Sequence, residues 1–193
     1  TLPLLAIQFD ASPDVLRRVL TSDELATLRA ARERRIAGRI PTPYITQQAW
    51  FCGLPFYVDE RVLIPRSPLG ELIDDGFYPW LQYEPEHILD LCCGSACIAI
   101  ACVEAFPAAR VDAADISADA LAVAAINVAQ YQLQDRLQLV ESDMFSGLHD
   151  RRYDLIVCNP PYVDAEDMNS LPDEYRHEPE LALASGDDGL DFT

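Results

Sequence analysis

No stretch of this sequence approaches the roughly 20 apolar residues that a helix needs to cross a bilayer. Its first ten residues also lack the basic start and the long apolar segment of a secretory signal peptide. Both absences argue against membrane insertion and against export. We therefore expect a cytoplasmic protein that makes no contact with membranes.

Lysine is missing altogether: all fourteen basic residues are arginine, a bias that we attribute to genome composition rather than to chemistry. The formal net charge is −18, and it is unevenly spread. Residues 1–50 carry seven arginines and five acidic residues, whereas residues 51–193 carry seven arginines and twenty-seven acidic residues. The excess of acidic residues in 51–193 disfavours nonspecific binding of this protein to nucleic acid. It suits a cationic cofactor or a basic protein partner, or it serves solubility alone.

The six cysteines are not arranged as a zinc site. Structural zinc sites favour Cys-x-x-Cys pairs with histidine partners on loops, and this spacing is absent. Three of the cysteines, Cys92, Cys93 and Cys97, fall where an apolar segment gives way to a helical one. We expect free, buried thiols in a reducing compartment, and no metal site.

Residues 1–43 are predicted to form a helical N-terminal region. Pro13 favours the start of one helix, and residues 22–24 can cap a second one. The second helix carries arginines on one face, which is either a solvated surface or a docking surface for RNA or an RNA-bound partner. Pro41 and Pro43 end this region. Direct binding of nucleic acid is expected, if anywhere, only at this basic helix.

Residues 44–82 are predicted to form a hairpin at 56–64 and a connecting helix at 69–81. Residues 83–193 then alternate between strand and helix, which predicts a doubly wound α/β domain with a parallel sheet and right-handed crossovers. The expected strands cover residues 87–91, 110–115, 137–141 and 153–158, and the expected helices cover residues 95–106 and 117–133. Because a sheet of four strands is thin and leaves an edge open, we expect further C-terminal strands in a longer protein.

Ligands of open α/β sheets bind at the carboxyl ends of the strands, so residues that directly follow a strand are the candidates for a binding site. After the first strand, Asp90 leads into a turn of small residues that includes Cys92 and Gly94. Small residues let a cofactor approach the backbone. Only Gly94 fits the G-x-G-x-x-G pattern of dinucleotide sites, which favours a smaller ligand without a pyrophosphate.

Acidic residues follow the second and third strands. Asp115 lies twenty-one residues after Gly94, where a carboxylate accepts hydrogen bonds from ribose hydroxyls; it would also favour the dipole of the next helix. Its neighbour Ile116 is suited to lie against an adenine ring. Asp143 follows the third strand and could accept a hydrogen bond from the adenine amine.

The sequence Asn159-Pro160-Pro161-Tyr162 directly follows the fourth predicted strand. The two prolines fix the backbone, so the Asn159 side-chain oxygen and the Pro160 carbonyl can both accept hydrogen bonds from one NH2 group. Tyr162 can stack on a planar substrate group. An amide nitrogen is a poor nucleophile, and two acceptors would orient it and stabilise the positive charge that develops as it is methylated. We therefore assign all four residues to substrate binding, and Asn159, Pro160 and Tyr162 to catalysis.

These residues carry a family resemblance. The segments Asp90–Ile98 and Asn159–Tyr162, with Asp115 and Asp143, resemble the class I S-adenosylmethionine methyltransferases that modify exocyclic or amide nitrogens. Residues 44–193 are similar to the bacterial protein-glutamine N(5)-methyltransferases. One branch of these acts on peptide-chain release factors and the other on ribosomal protein L-three. Three stretches resemble the second branch: residues 49–53, 56–68 and 174–179.

The resemblance implies S-adenosylmethionine as the cofactor and a glutamine of ribosomal protein L-three as the substrate. It also implies cofactor contacts from Asp90, Gly94, Asp115 and Asp143, and amide contacts from Asn159 and Pro160. We further assign Cys92, Ile116 and Asn159 to the cofactor site. Three alternatives stay open: a release-factor glutamine methyltransferase, a methyltransferase of nucleic-acid amino groups, and a noncatalytic binding module that kept the fold. The last of these fits the sequence least well.

Overall fold

Short helices and a two-stranded hairpin form the N-terminal part of the computed structural model, which describes residues 18–192. In chain order they are α1 (Ser22–Ile36), α2 (Thr42–Thr46), β1 (Ala49–Phe51), β2 (Leu54–Phe56) and α3 (Leu69–Asp74). Helix α1 starts with a capping box, in which the Thr21 hydroxyl accepts the Glu24 N–H and the Glu24 carboxylate accepts the Thr21 N–H. The helix predicted to start at Pro13 lies outside the described residues.

Acidic side chains pair with some of the arginines in α1 and on either side of it. Arg35 and Arg39 both pair with Glu174, at 3.1 and 3.0 Å, and Arg18 pairs with Glu24 at 2.6 Å. The other arginines of the helix are exposed to solvent. Docking of RNA at this helix stays a prediction.

The hairpin predicted at residues 56–64 is wrong. The hairpin lies earlier, with Ala49 opposite Phe56, and residues 57–64 contain no strand. Two charged side chains of this later segment bond to each other, and no second strand within residues 18–192 pairs with it. The Asp59 carboxylate accepts the Arg61 N–H at 3.1 Å and the Arg61 guanidinium at 2.6 Å. A turn closed in this way cannot continue as an extended strand.

The connecting helix is shorter than the predicted 69–81, because α3 ends at Asp74. Gly76 and Phe77 both have left-handed backbone conformations, with φ of 61° and 57°. The chain therefore leaves the helical path there, and residues 75–80 form successive turns. Apolar spacing alone did not reveal this break.

A parallel sheet of four strands forms the centre of the molecule, which confirms the predicted α/β class. Its strands are β3 (His87–Leu91), β4 (Arg110–Asp115), β5 (Leu137–Glu141) and β6 (Leu155–Cys158), in the spatial order β5-β4-β3-β6. The first three match the predicted bounds. Strand β6 starts two residues later than predicted, since the Asp154 carboxylate accepts the N–H groups of Glu86 and His87 just before it.

Two helices pack against the sheet: α4 (Cys97–Ala105) and α5 (Ala118–Gln130). Seven of the nine residues of α4 are buried, in keeping with its apolar sequence. Helix α5 is capped by Ser117, because the Ser117 hydroxyl accepts the Ala120 N–H at 3.1 Å. The buried Asn127 of α5 bonds to both backbone groups of Tyr57 and to the Ser95 carbonyl. This side chain ties the segment after the hairpin to the sheet domain.

Beyond the sheet, the chain forms α6 (Ala165–Ser170) and two short 3₁₀ turns, Asp173–His177 and Glu180–Ala182. Within the described residues, β6 has a strand neighbour on one side alone, and its Ile156 is half exposed. No helix between residues 18 and 192 has the length and apolar character to span a membrane. The three predicted regions, 1–43, 44–82 and 83–193, stay a prediction.

Candidate functional site

A cavity of about 210 Å³ lies at the carboxyl ends of the sheet strands, at the edge where the sequence predicted a ligand site. Its floor consists of residues that follow the four strands, and its cover consists of the loop before α3 and the C-terminal turns. The lining comprises residues 61–67, 91–95, 97–98, 115–117, 120, 142–144, 159, 161, 179, 181–182 and 192. Parallel pairing brings these distant segments together, since Leu91 lies beside both Ala114 and Cys158.

The turn after β3 bends sharply around small residues. Cys92, Gly94 and Ala96 have left-handed φ angles of 62°, 53° and 61°. At Gly94, no heavy atom lies within 4 Å of where a Cβ would stand, so this glycine presents open space. Cys92 and Gly94 line the cavity, whereas Ala96 is fully buried in the core. The turn thus brings a bare stretch of backbone to the cavity wall.

Asp115 holds this turn in place from the end of β4. One carboxylate oxygen accepts the Gly94 N–H at 2.8 Å, and the other accepts the Ser117 N–H at 2.9 Å. Both oxygens retain a free lone pair for a ligand. Ile116, half exposed, follows directly on the cavity wall. The end of β4 therefore places a fixed carboxylate and an apolar side chain next to each other.

Asp143 reaches the cavity through a loop that Ser142 closes. The Ser142 hydroxyl donates to the Met144 carbonyl at 2.7 Å and accepts the Gly147 N–H at 2.8 Å. Asp143 and Met144 both line the wall. A second carboxylate, of Asp143, and a second apolar side chain, of Met144, thus follow β5.

The Asn159–Tyr162 segment enters the cavity in part. Asn159 and Pro161 line the wall, whereas Pro160 and Tyr162 do not, and the Tyr162 side chain is 68% exposed. The segment is anchored beyond its end, because the Val163 N–H donates to the Leu183 carbonyl at 2.9 Å and the Val163 carbonyl accepts the Ser185 N–H at 2.9 Å. This short ladder fixes the diproline corner against the C-terminal turns.

Asp90 lies behind the cavity wall, in the core. Its side chain is fully buried, and one oxygen accepts the Ala99 N–H at 2.9 Å. The other oxygen has no hydrogen-bond partner among the described residues. Burial raises the pKa of the Asp90 carboxyl well above its ordinary value, because desolvation penalises the charged form. Of the predicted residues, the cavity brings Cys92, Gly94, Asp115, Ile116, Asp143, Asn159 and Pro161 together and leaves Asp90, Pro160 and Tyr162 outside its wall.

Replacing Asp90 by asparagine is expected to flatten the dependence of stability on pH. Because the folded pKa of Asp90 is raised, the folded protein keeps a proton that the unfolded chain releases. The free energy of unfolding therefore falls as pH rises above the ordinary aspartate value, by up to about 1.4 kcal/mol per pH unit. Urea unfolding of the parent and the Asp90→Asn variant between about pH 5 and pH 8 measures this slope. The exposed Asp119→Asn change serves as the control, and equal slopes in all three proteins would contradict the assignment.

Thiols also border the site. All six cysteines are free; Cys93, Cys97 and Cys102 are buried, as expected, and the other three are half-buried. A hydrogen bond with the Cys158 thiol and partial burial raise the pKa of Cys92. Burial raises the pKa of Cys97 to about 12. Cys92 and Cys97 are therefore neutral thiols at neutral pH, and both line the cavity as small apolar side chains.

The cover over the cavity contains an ion pair that the sequence did not reveal. The Glu178 carboxylate, only 2% exposed, accepts the Ile64 N–H at 3.1 Å and the Arg66 guanidinium at 2.8 Å. The Arg66 guanidinium also lies 4.8 Å from the centre of the Tyr175 ring. Residues 56–68 and 174–179 both resemble the same branch of a family. This shared resemblance is the one feature of the sequence that indicates a contact between the two stretches.

Replacing Glu178 by alanine is expected to lower the free energy of unfolding by about 2 kcal/mol, since it leaves the half-buried Ile64 N–H and the Arg66 guanidinium without their acceptor. The same change should loosen the cover of the cavity. Urea unfolding followed by circular dichroism measures the loss. The neighbouring Glu180 is exposed, so Glu180→Ala is a matched control that should change stability little. An equal effect of the two changes would show that Glu178 does not hold the cover.

Comparison with known proteins gives this geometry a context. A model of the methyltransferase small domain family matches residues 77–174. The chain is 52% identical over 177 residues to a ribosomal protein uL3 glutamine methyltransferase of Bordetella pertussis, which covers 91% of this chain and 59% of that protein. It is 50% identical over 191 residues to the protein of the same name from Neisseria gonorrhoeae, covering 98% and 64%. The chain thus spans about three-fifths of the length of these relatives.

Solved structures resemble the fold at much lower identity. The human METTL16 catalytic domain in complex with MAT2A 3′UTR hairpin 6 superposes with a TM-score of 0.55 at 18% identity, covering 89% of this chain and 60% of that chain. A second complex of the same domain, with hairpin 1, gives a TM-score of 0.52. At this identity the likeness concerns the fold alone.

Proposed function

The chain belongs to the methyltransferase small domain family, and we propose that it methylates the side-chain amide nitrogen of a glutamine in ribosomal protein uL3, with S-adenosylmethionine as the methyl donor. One observation carries the proposal. Asn159 and Pro161 line the same cavity as Asp115 and Asp143. An acceptor for an NH2 group and a set of acceptors for a nucleoside therefore meet at one edge of the sheet.

The cavity residues fit S-adenosylmethionine better than a dinucleotide. The strand ends supply two carboxylates, a bare glycine turn and apolar side chains, and the arginines of the wall lie in the cover, at Arg61 and Arg66. Such a wall suits a cationic ligand with ribose and adenine groups, and it offers little to a pyrophosphate. When bound, the cofactor would supply an electrophilic methyl group on a sulfonium. The Asp115 carboxylate would accept hydrogen bonds from the ribose hydroxyls, and the Asp143 carboxylate would accept one from the adenine amine.

The remaining assignments follow the positions of the side chains. Ile116 would contact the adenine face, and Cys92 and Gly94 would flank the methionine portion, with Asn159 at the junction with the substrate. Asp90 would act indirectly, because it is buried beneath the turn and bonds to the start of α4. It is therefore a positioning residue for that turn.

On the substrate side, the Asn159 side-chain oxygen and the Pro160 carbonyl would each accept one hydrogen of the glutamine amide. Two acceptors fix the plane of the amide, so that its nitrogen faces the transferable methyl group. They also stabilise the positive charge that develops on that nitrogen. Pro161 holds the corner rigid, and Tyr162, exposed at its end, would stack on the amide or on the substrate backbone.

The decisive experiment uses labelled S-adenosylmethionine. The chain is incubated with unmethylated uL3, with a peptide-chain release factor and with DNA, and each product is analysed by mass spectrometry. We expect label on a glutamine of uL3 and on neither competitor. Label on the release factor or on DNA would replace the proposed substrate, and cofactor binding without any transfer would favour a noncatalytic module. Substrate and donor both point to action in the cytoplasm.

A further inference from the structure

Three large aromatic side chains stand exposed within six residues, on the turns between α3 and β3. Tyr78, Trp80 and Tyr83 are 73%, 75% and 63% exposed. We call these three residues the aromatic patch. Tyrosine and tryptophan are the residues that most often dominate protein interfaces, and leaving three of them in water has a cost that packing of this chain does not recover.

The backbone beneath the aromatic patch is fixed by the core. Phe77 is buried and stacks on Phe106, with ring centres 6.3 Å apart. The N–H groups of Trp80 and Leu81 both donate to the Phe77 carbonyl, at 3.0 Å. Pro85, two residues after Tyr83 in the chain, is fully buried. The rings are therefore presented by a held turn, which reduces the entropy lost when a partner binds.

The chain segment that carries the patch has charged residues of one sign only. Residues 71–86 contain no arginine and no histidine, and all five of their acidic residues are exposed: Glu71, Asp74, Asp75, Glu84 and Glu86. Acidic side chains beside open aromatic faces attract guanidinium and ammonium groups, through ion pairing and cation–π contact. The same acids repel phosphate groups, which disfavours RNA and anionic lipid surfaces despite the aromatic rings.

The patch lies apart from the candidate site. None of its three residues lines the cavity, and the chain runs from the patch into the start of β3, at the opposite end of the strand from the turn at Gly94. A partner seated there would leave the cavity open. We propose that the aromatic patch is a docking surface for a cationic segment, rich in arginine and lysine, of a protein partner. The proposal does not depend on the function proposed for the cavity.

A synthetic peptide of about eight arginines serves as the probe, with an equally long glutamate peptide for comparison. Titration calorimetry measures the dissociation constant for the parent chain and for Trp80→Ala. We expect Trp80→Ala to weaken binding of the arginine peptide about tenfold, and the glutamate peptide not to bind. Because Trp80 is exposed, the variant should fold normally, and its affinity for S-adenosylmethionine should equal that of the parent.

A matched pair of charge variants separates a docking surface from general attraction to an acidic protein. Glu84→Gln with Glu86→Gln removes two charges at the patch, and Glu166→Gln with Asp187→Asn removes two exposed charges elsewhere. We expect the first pair to weaken binding at least about threefold more than the second. Equal losses for the two pairs, or undiminished binding to Trp80→Ala, would overturn the proposal. Tighter binding of single-stranded RNA than of the arginine peptide at the patch would also overturn the proposal. So would self-association through the patch, measured by ultracentrifugation, that the arginine peptide does not disrupt.

Discussion

Turnover is expected to fall by about 100-fold or more when Asn159 is replaced by alanine, while the dissociation constant for S-adenosylmethionine barely changes. The side-chain oxygen of Asn159 is one of two acceptors that would hold the amide of the substrate. Without it, the amide can rotate, and the developing positive charge on its nitrogen loses a partner. The effect should therefore appear in kcat, whereas the carboxylates proposed to bind the cofactor are unchanged.

The test needs single-turnover transfer to uL3 and calorimetry with the cofactor, for the parent and the variant. Asn169 provides the matched control, because it is an exposed asparagine of α6 whose side chain bonds only locally, to the Ala165 carbonyl. Asn169→Ala should keep full activity. If Asn159→Ala turned over as fast as the parent, the assignment of the amide site to the diproline corner would be wrong.

The affinity for S-adenosylmethionine is expected to fall between about tenfold and a hundredfold when Asp115 is replaced by alanine. Its carboxylate has two tasks in the structure. It would accept the ribose hydroxyls, and it already accepts the N–H groups of Gly94 and Ser117. Removing it therefore takes away a ligand contact and releases the turn that forms the cavity wall.

Calorimetry with S-adenosylmethionine measures this loss, and two further variants resolve its cause. Asp119→Ala removes an exposed acid from the first turn of α5 and should leave the affinity unchanged. Asp115→Asn keeps one acceptor oxygen, so it should fall between the parent and Asp115→Ala. An unchanged dissociation constant in Asp115→Ala would remove this residue from the cofactor site.

The edge of the sheet that borders the cavity was the most predictable part of the molecule. Each strand there is a short apolar run that ends at a polar or small residue. The apolar run and the residue that ends it lie within a few positions of each other in the chain. Asp115 and Asp143 were placed next to a ligand cavity by this reasoning, and the structure has both on the wall. Asp90 was placed with them, since it also ends an apolar run, yet it is buried behind the turn. Sequence position cannot distinguish these cases, because the direction of a side chain depends on the twist of the strand and on its neighbours.

The region before the sheet was the least predictable. Residues 56–58 and 62–64 are apolar and flank three charged residues, a pattern that suggests a hairpin, but Asp59 bonds to Arg61 and closes the segment on itself. The stretch is then held by Asn127, seventy positions away along the chain, and by Glu178, more than a hundred positions away. Local propensity carries no information about partners at such separations.

The sequence by itself determined the class of fold, the strands β3, β4 and β5, and the residues that stand at their carboxyl ends. These depend on interactions among neighbours in the chain, and on the rule that parallel strands end at a common edge. Only the tertiary structure decided that Glu178 and Arg66 cover the cavity, that Asp90 is buried behind it, and that three aromatic rings stand in solvent at the opposite end. Each of these depends on which distant segments pack together, and that packing is settled by the whole chain at once.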